Sequence, residues 1–129
     1  MNCTAAISAD ISLHLAWFTS YAAAKRALEQ GDASPMDLKL RHSLEVLENA
    51  RHTVEGEGFD PQTARACLLA ALYHDVARFE QYLRYHTFRD RESCNHGQMG
   101  VRILKAERRL VGETPQMRKL VMAAVGMHN

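Results

Sequence analysis

The sequence predicts an all-α protein, and three observations carry that expectation. No segment shows sustained alternation of apolar and polar residues, the period of two that a half-buried strand requires. Three pairs, Ser34-Pro35, Asp60-Pro61 and Thr114-Pro115, place a side-chain capping residue before a proline suited to the first helical position. Alanine, leucine and lysine, all good helix formers, dominate the first long segment.

About five helices follow in order. The first is expected over Ile11 to Gln30, with Asp10 able to cap its start and Gly31 able to end it. The short connection "GDASP" leads to Ser34, read as the cap of a second helix. That helix carries an apolar side of Leu38, Leu40, Leu44, Val46, Leu47 and Val54. Two glycines in "EGEGFDP" break the pattern, and Asp60-Pro61 opens a third helix that runs into His74-Asp75. Periodicity fades from Arg78 to Ser93, where "RFEQYLRYHTFRDRES" reads as one irregular helical turn plus a loop. Asn95 can cap a fourth helix through about Leu110, and Thr114 a fifth, "QMRKLVMAAVGMHN".

Composition narrows the classes of function. The chain has 129 residues, enough for one domain with a real core but not for two. A formal net charge of +1 argues against binding a nucleic-acid duplex by phosphate neutralisation. Cys3, Cys67 and Cys94 are widely spaced, and no CxxC pair suggests a zinc ribbon or a disulfide framework. Reduced thiols and a cytoplasmic location are the simplest reading. The amino terminus lacks a basic region before its apolar run, so a signal peptide is not expected. No apolar run approaches the roughly 18 to 20 residues of a membrane span.

The residues that carry chemistry are histidines and one aspartate. His42 lies midway along the second helix, His74-Asp75 at the end of the third, His96 at the start of the fourth and His128 at the end of the fifth. One such position per helix is the pattern by which packed helices aim ligands at a common point. A buried carboxylate beside an imidazole is costly unless something binds it, and a cation would compensate Asp75. Imidazole with carboxylate suits zinc, iron, manganese or nickel, and magnesium less as the imidazole share rises. His14, His52 and His86 lack such a context and read as surface or capping residues. Trp17, Phe18 and Tyr21 read as core, with an aromatic wall for a nucleotide base as the alternative. Gly97 and Gly100 read as points of close helix approach.

The stretches "LRHSLEVLENA", "ALYHDVARFEQY", "FRDRESCNHGQMGVRIL" and "VMAAVGMHN" resemble the HD-domain superfamily of metal-dependent phosphohydrolases. The resemblance runs from about Lys39 onward and implies a compact helical bundle. It implies that His42, His74 and Asp75 bind a first divalent ion. It implies that His96 and His128 bind a second, with Asp75 bridging. The family pattern ends in a further aspartate downstream of the position matched by His128. These 129 residues stop short of it, so the reading is of a single, C-terminally incomplete domain over residues 1–129. Asp90, in a loop, reads as a poor substitute.

The activity implied is hydrolysis of a nucleotide or other small phosphoester by metal-activated water. Asp75 and Arg78 are the candidate catalytic residues, because Arg78 lies about one turn beyond Asp75. Arg41, Arg84, Arg89 and Arg91 are candidates for holding phosphate, the last three on the loop expected to overhang the site. The competing reading is a catalytically impaired metal- or nucleotide-binding regulatory module. A third, in which the histidines merely hydrogen-bond within a structural bundle, needs every match to be accidental. The "LVMAAV" stripe of the last helix, with no successor to cover it, predicts self-association, with exchange of that helix as one route.

Overall fold

The computed structural model describes residues 9–128, and Cys3 with the rest of the extreme amino terminus lies outside that range. The described chain forms six α-helices: α1 (Ser12–Leu28), α2 (Ser34–Glu57), α3 (Pro61–Tyr73), α4 (Arg78–Tyr85), α5 (His96–Ala106) and α6 (Pro115–Met127). A 3-10 turn, Asp90–Glu92, precedes α5. No strand occurs among the described residues, as the absence of period-two patterning predicts.

Most helix starts follow from local chemistry. Asp60 accepts from the Thr63 backbone N–H at 3.1 Å, Asn95 from that of Gln98 at 2.9 Å, and Thr114 from that of Met117 at 3.1 Å. Each satisfies one of the orphan donors at a helix amino terminus. Ser34 differs from expectation: it is the first residue of α2, and the preceding Ala33 occupies the cap position without a side-chain bond. Asp32 instead accepts from the Ser34 N–H at 2.9 Å. Asp10 likewise bonds the Ser12 N–H at 2.9 Å from outside the cap position, which Ile11 holds.

Helix ends are equally explicable. Gly58 closes α2 at φ 63°, the left-handed conformation that glycine adopts without steric cost. Helix α5 ends at Ala106, four residues before the expected Leu110. Arg108 takes φ 54°, and the Arg109 and Arg108 N–H groups bond back to Leu104 O and Lys105 O. That pair of bonds is a Schellman closure built on an arginine instead of a glycine. The sequence therefore gave no stop signal there.

Residues 78–85 also depart from expectation, forming two turns of helix instead of an irregular turn. Phe79 is fully buried, and Tyr82 and Leu83 pack beside the core at helical spacing. The intervening Gln81 is itself buried, so a polar residue sits on the inward face and masks the period.

Helix α3 is central, touching α1, α2 and α6. Its Leu68, Leu69, Leu72 and Tyr73 are all buried, as befits a helix apolar on most sides. Helix α4 packs on α1 and α2, and α5 packs on α6. Phe18, Tyr73, Phe79, Leu104, Val121 and Val125 join these layers in one core. The apolar stripe of α6 is largely covered: Met117, Val121 and Val125 are buried against α3 and α5, while Leu120 and Met127 stay exposed. Among the described residues no helix is long and apolar enough to cross a membrane. Cys67 and Cys94 are unbridged.

His14 corrects the surface reading given to it. It is buried, with Nδ1 2.6 Å from the Tyr73 hydroxyl and Nε2 3.0 Å from Glu113. Arg65 grips Glu113 through Nε and Nη2 at 2.8 and 2.6 Å. This clasp ties α1 and α3 to the connection before α6. His52 does lie on the surface, beside Glu48, and His86 ends α4 at φ 57° beside Glu29.

Candidate metal centre

The end of α3 creates the centre. After Tyr73 the chain leaves the helix, and residues 74–77 form a turn into α4. The turn holds Asp75 in the interior with only 6% of its side chain exposed. Four imidazoles surround that carboxylate. His42 arrives from the middle of α2, His74 from the cap position of α3, His96 from the first residue of α5 and His128 from the cap position of α6.

The carboxylate divides them into two arms. Asp75 Oδ2 lies 3.7 Å from His42 Nε2 and 3.5 Å from His74 Nε2. Asp75 Oδ1 lies 3.3 Å from His96 Nε2 and 3.5 Å from His128 Nε2. Each arm brings three potential ligand atoms within 4.8 Å of one another. The five residues singled out in the sequence as metal ligands are thus together, and the two oxygens of Asp75 face different pairs.

Outer contacts set which nitrogen of each ring points inward. His74 Nδ1–H donates to Ala71 O at 2.7 Å, and His128 Nδ1–H donates to Val125 O at 2.7 Å. A carbonyl oxygen can only accept, so in the neutral rings each Nε2 keeps its lone pair free for the centre. His96 Nδ1 is bonded to Asp90 Oδ2 at 2.7 Å, which fixes that ring the same way. One consequence is a test of whether the residues fit a cation. His96 Nε2 and His128 Nε2 face each other at 2.8 Å. Two lone pairs at that distance repel, and a cation held by the two rings and Asp75 would convert that repulsion into ligation. The donor set of imidazole and carboxylate suits a divalent transition metal.

Electrostatics favour the charged carboxylate. Burial pushes the Asp75 acid upward, but the imidazoles of His96 and His74, wherever they carry a proton on Nε2, and the Arg78 guanidinium outweigh it. The carboxyl is held well below the usual range. Burial also lowers the His74 imidazole, against the raising influence of Asp75, which favours the neutral ring that a metal needs.

Asp90 is the residue whose part the sequence did not show. Its Oδ2 accepts from both Nδ1 and the backbone N–H of His96, at 2.7 and 3.0 Å. Its Oδ1 accepts from Arg78 Nη1 at 3.2 Å and from Gln81 Nε2 at 3.1 Å. Burial opposes its ionisation, yet the His96 and Gln81 bonds hold its acid well below normal. It stands behind His96 as a support and not in the cluster as a ligand.

Arg78 is similarly engaged. Its Nη1 reaches Gln81 Oε1 at 2.8 Å, Phe88 O at 2.9 Å and Asp90, while Nε lies 3.6 Å from Asp75 Oδ1. Arg84 lies on α4, not on a loop. It pairs with Glu80 and lines a separate pocket with Tyr21, Lys25 and Arg102. Arg89 pairs with Glu92 on the surface, and Arg91 is exposed. Arg41 is exposed beside His42 and lines a shallow cavity with Leu38, Lys39, His42 and Glu45.

The family profile for the HD domain matches residues 40–129. That span covers well over half the chain and contains all five clustered residues, so the protein belongs to the HD-domain family, whose members are metal-dependent phosphohydrolases. Searches of curated proteins and of solved structures returned no match.

Proposed function

We propose that the protein is a phosphohydrolase of the HD type, acting on a nucleotide or other small phosphoester with one or two divalent ions held by His42, His74, Asp75, His96 and His128. The observation that carries this reading is the sharing of Asp75, with one oxygen toward His42 and His74 and the other toward His96 and His128. When bound, such ions lower the pKa of water from 15.7 to about 7 and neutralise charge on phosphoryl oxygens.

The protein's own residues then have distinct tasks. Asp75, ionised and buried, orients what is placed between the arms. The Nδ1 bonds of His74, His96 and His128 keep those rings in one tautomer and one orientation. Arg78 sustains the Asp75 charge from 3.6 Å and joins it to Asp90, a positioning role. The His42 side is the open one, with 46% of that side chain exposed against 6% for His96, and substrate enters there.

Manganese, iron, zinc, nickel and magnesium are the ions to compare. Elemental analysis of purified protein and hydrolysis of p-nitrophenyl phosphate and a nucleotide panel, each with and without added ion, test the proposal. Metal-dependent turnover lost in Asp75→Ala is the expected result. Protein that carries ions yet hydrolyses none of the panel would favour the regulatory reading.

A further inference from the structure

A phosphoester enzyme needs a cation free to take the phosphoryl group. Three of the arginines near the centre by sequence are committed elsewhere: Arg78 to Asp75 and Asp90, Arg84 to Glu80, Arg89 to Glu92. A side chain already neutralised by a carboxylate gains little from a phosphate. Lys39 is different. No carboxylate among the described residues pairs with it.

Its position is set by two independent contacts. On α2 it lies three residues before His42, so the two share a helix face. Arg41, one residue from His42, also lines the cavity beside it, but stands about 100° further round the helix and is exposed. Lys39 Nζ also lies 5.0 Å from the ring centroid of Phe88. The Phe88 carbonyl accepts from Arg78, whose Nε is 3.6 Å from Asp75. The lysine is therefore on the rim of the open arm, half-buried, its stem steadied by an aromatic face. A cavity of about 310 Å³ lined by Leu38, Lys39, Arg41, His42 and Glu45, all on α2, lies at the lower end of the range for small-molecule sites.

From this geometry we infer that Lys39 holds the phosphoryl group of the substrate at the His42 side of the centre, acting as a point charge with three donors. The inference rests on the phosphohydrolase reading, and the experiment separates the two. Wild type, Lys39→Gln, Lys39→Arg and Lys119→Gln are each loaded with manganese. Inorganic phosphate is then titrated calorimetrically, and metal content is measured on the same samples. Lys119 is an exposed lysine on α6 and reports the effect of lost charge alone.

Lys39→Gln should weaken phosphate binding about tenfold or more, with metal content unchanged. Lys39→Arg should recover most of the loss, and Lys119→Gln should match wild type. Phosphate held equally well by Lys39→Gln and wild type, at equal metal content, would overturn the assignment of Lys39 while leaving the phosphohydrolase reading in place. Wild-type protein that takes up no divalent ion would overturn that reading, and the role of Lys39 with it.

Discussion

Replacing Asp90 by asparagine tests the support behind His96 directly. The carboxylate accepts two bonds from His96 on Oδ2, and bonds from Arg78 and Gln81 on Oδ1. Asparagine keeps one acceptor oxygen and turns the other into an NH₂ donor. Whichever way it faces, one pair of donors meets another donor. If the His96 pair is lost, the ring is freed to rotate and its Nε2 loses basicity. A bond to a charged acceptor is worth about 1.5–3 kcal/mol. Loss of an outer-shell partner costs roughly 10–100-fold in metal affinity, which is consistent at 1.4 kcal/mol per tenfold. The loss should fall on the His96–His128 arm, because Asp90 bonds the His96 ring and backbone directly. Calorimetric titration with manganese or zinc should show one weakened equivalent and one nearly unchanged, with far-UV circular dichroism reporting that the fold persists. Equal weakening of both equivalents in a folded variant would refute the claim that Asp90 acts through His96.

Other perturbations have equally definite outcomes. Asp75→Ala should abolish both binding events together, because each arm uses one of its oxygens; a variant that retains one full-strength equivalent by titration would contradict the sharing. Gly100→Val should destabilise by roughly 2 kcal/mol, measured by urea denaturation, since even a Cβ at Gly100 would stand 3.1 Å from Val125 and 3.4 Å from Val76. Both neighbours are fully buried. The same substitution should weaken metal binding through displacement of α6 and His128. Burial holds the His14 imidazole below its usual value of 6.5, against the raising influence of Glu113. The unfolded chain then binds more protons than the folded one as pH falls through that value, so stability is lost on acidification. In metal-free protein the slope of unfolding free energy between about pH 7.5 and 5.5 should be shallower for His14→Gln, with a residual slope from His74, which burial also lowers.

What could be read from the chain alone was what local chemistry decides. Asp60, Asn95 and Thr114 each cap within three residues of themselves, so their helices were legible. The five clustered residues were legible because each sits in a short family-like context, although spacing alone could not establish their convergence. Long-range partnerships were not legible. His14 meets Tyr73 and Glu113 across 59 and 99 residues, and no local pattern announces that. Asp90 looked like a failed ligand because its true partner is the far nitrogen of a ring whose near nitrogen faces the centre. Gln81 hid α4 by placing an amide where a period of 3.6 expects an apolar side chain. Lys39 was within reach of sequence reasoning, since its three-residue spacing from His42 is the same helical relation that drew attention to Arg78.

The way one acid serves both arms has a consequence for charge. The five donors carry a single formal negative charge among them, the four rings being neutral when they ligate. Two divalent cations in such a cage would be heavily under-compensated and would draw in an anion from solution to balance them. A pocket so loaded would be predisposed to capture doubly charged ligands such as phosphate, and would be least comfortable when no such guest is present.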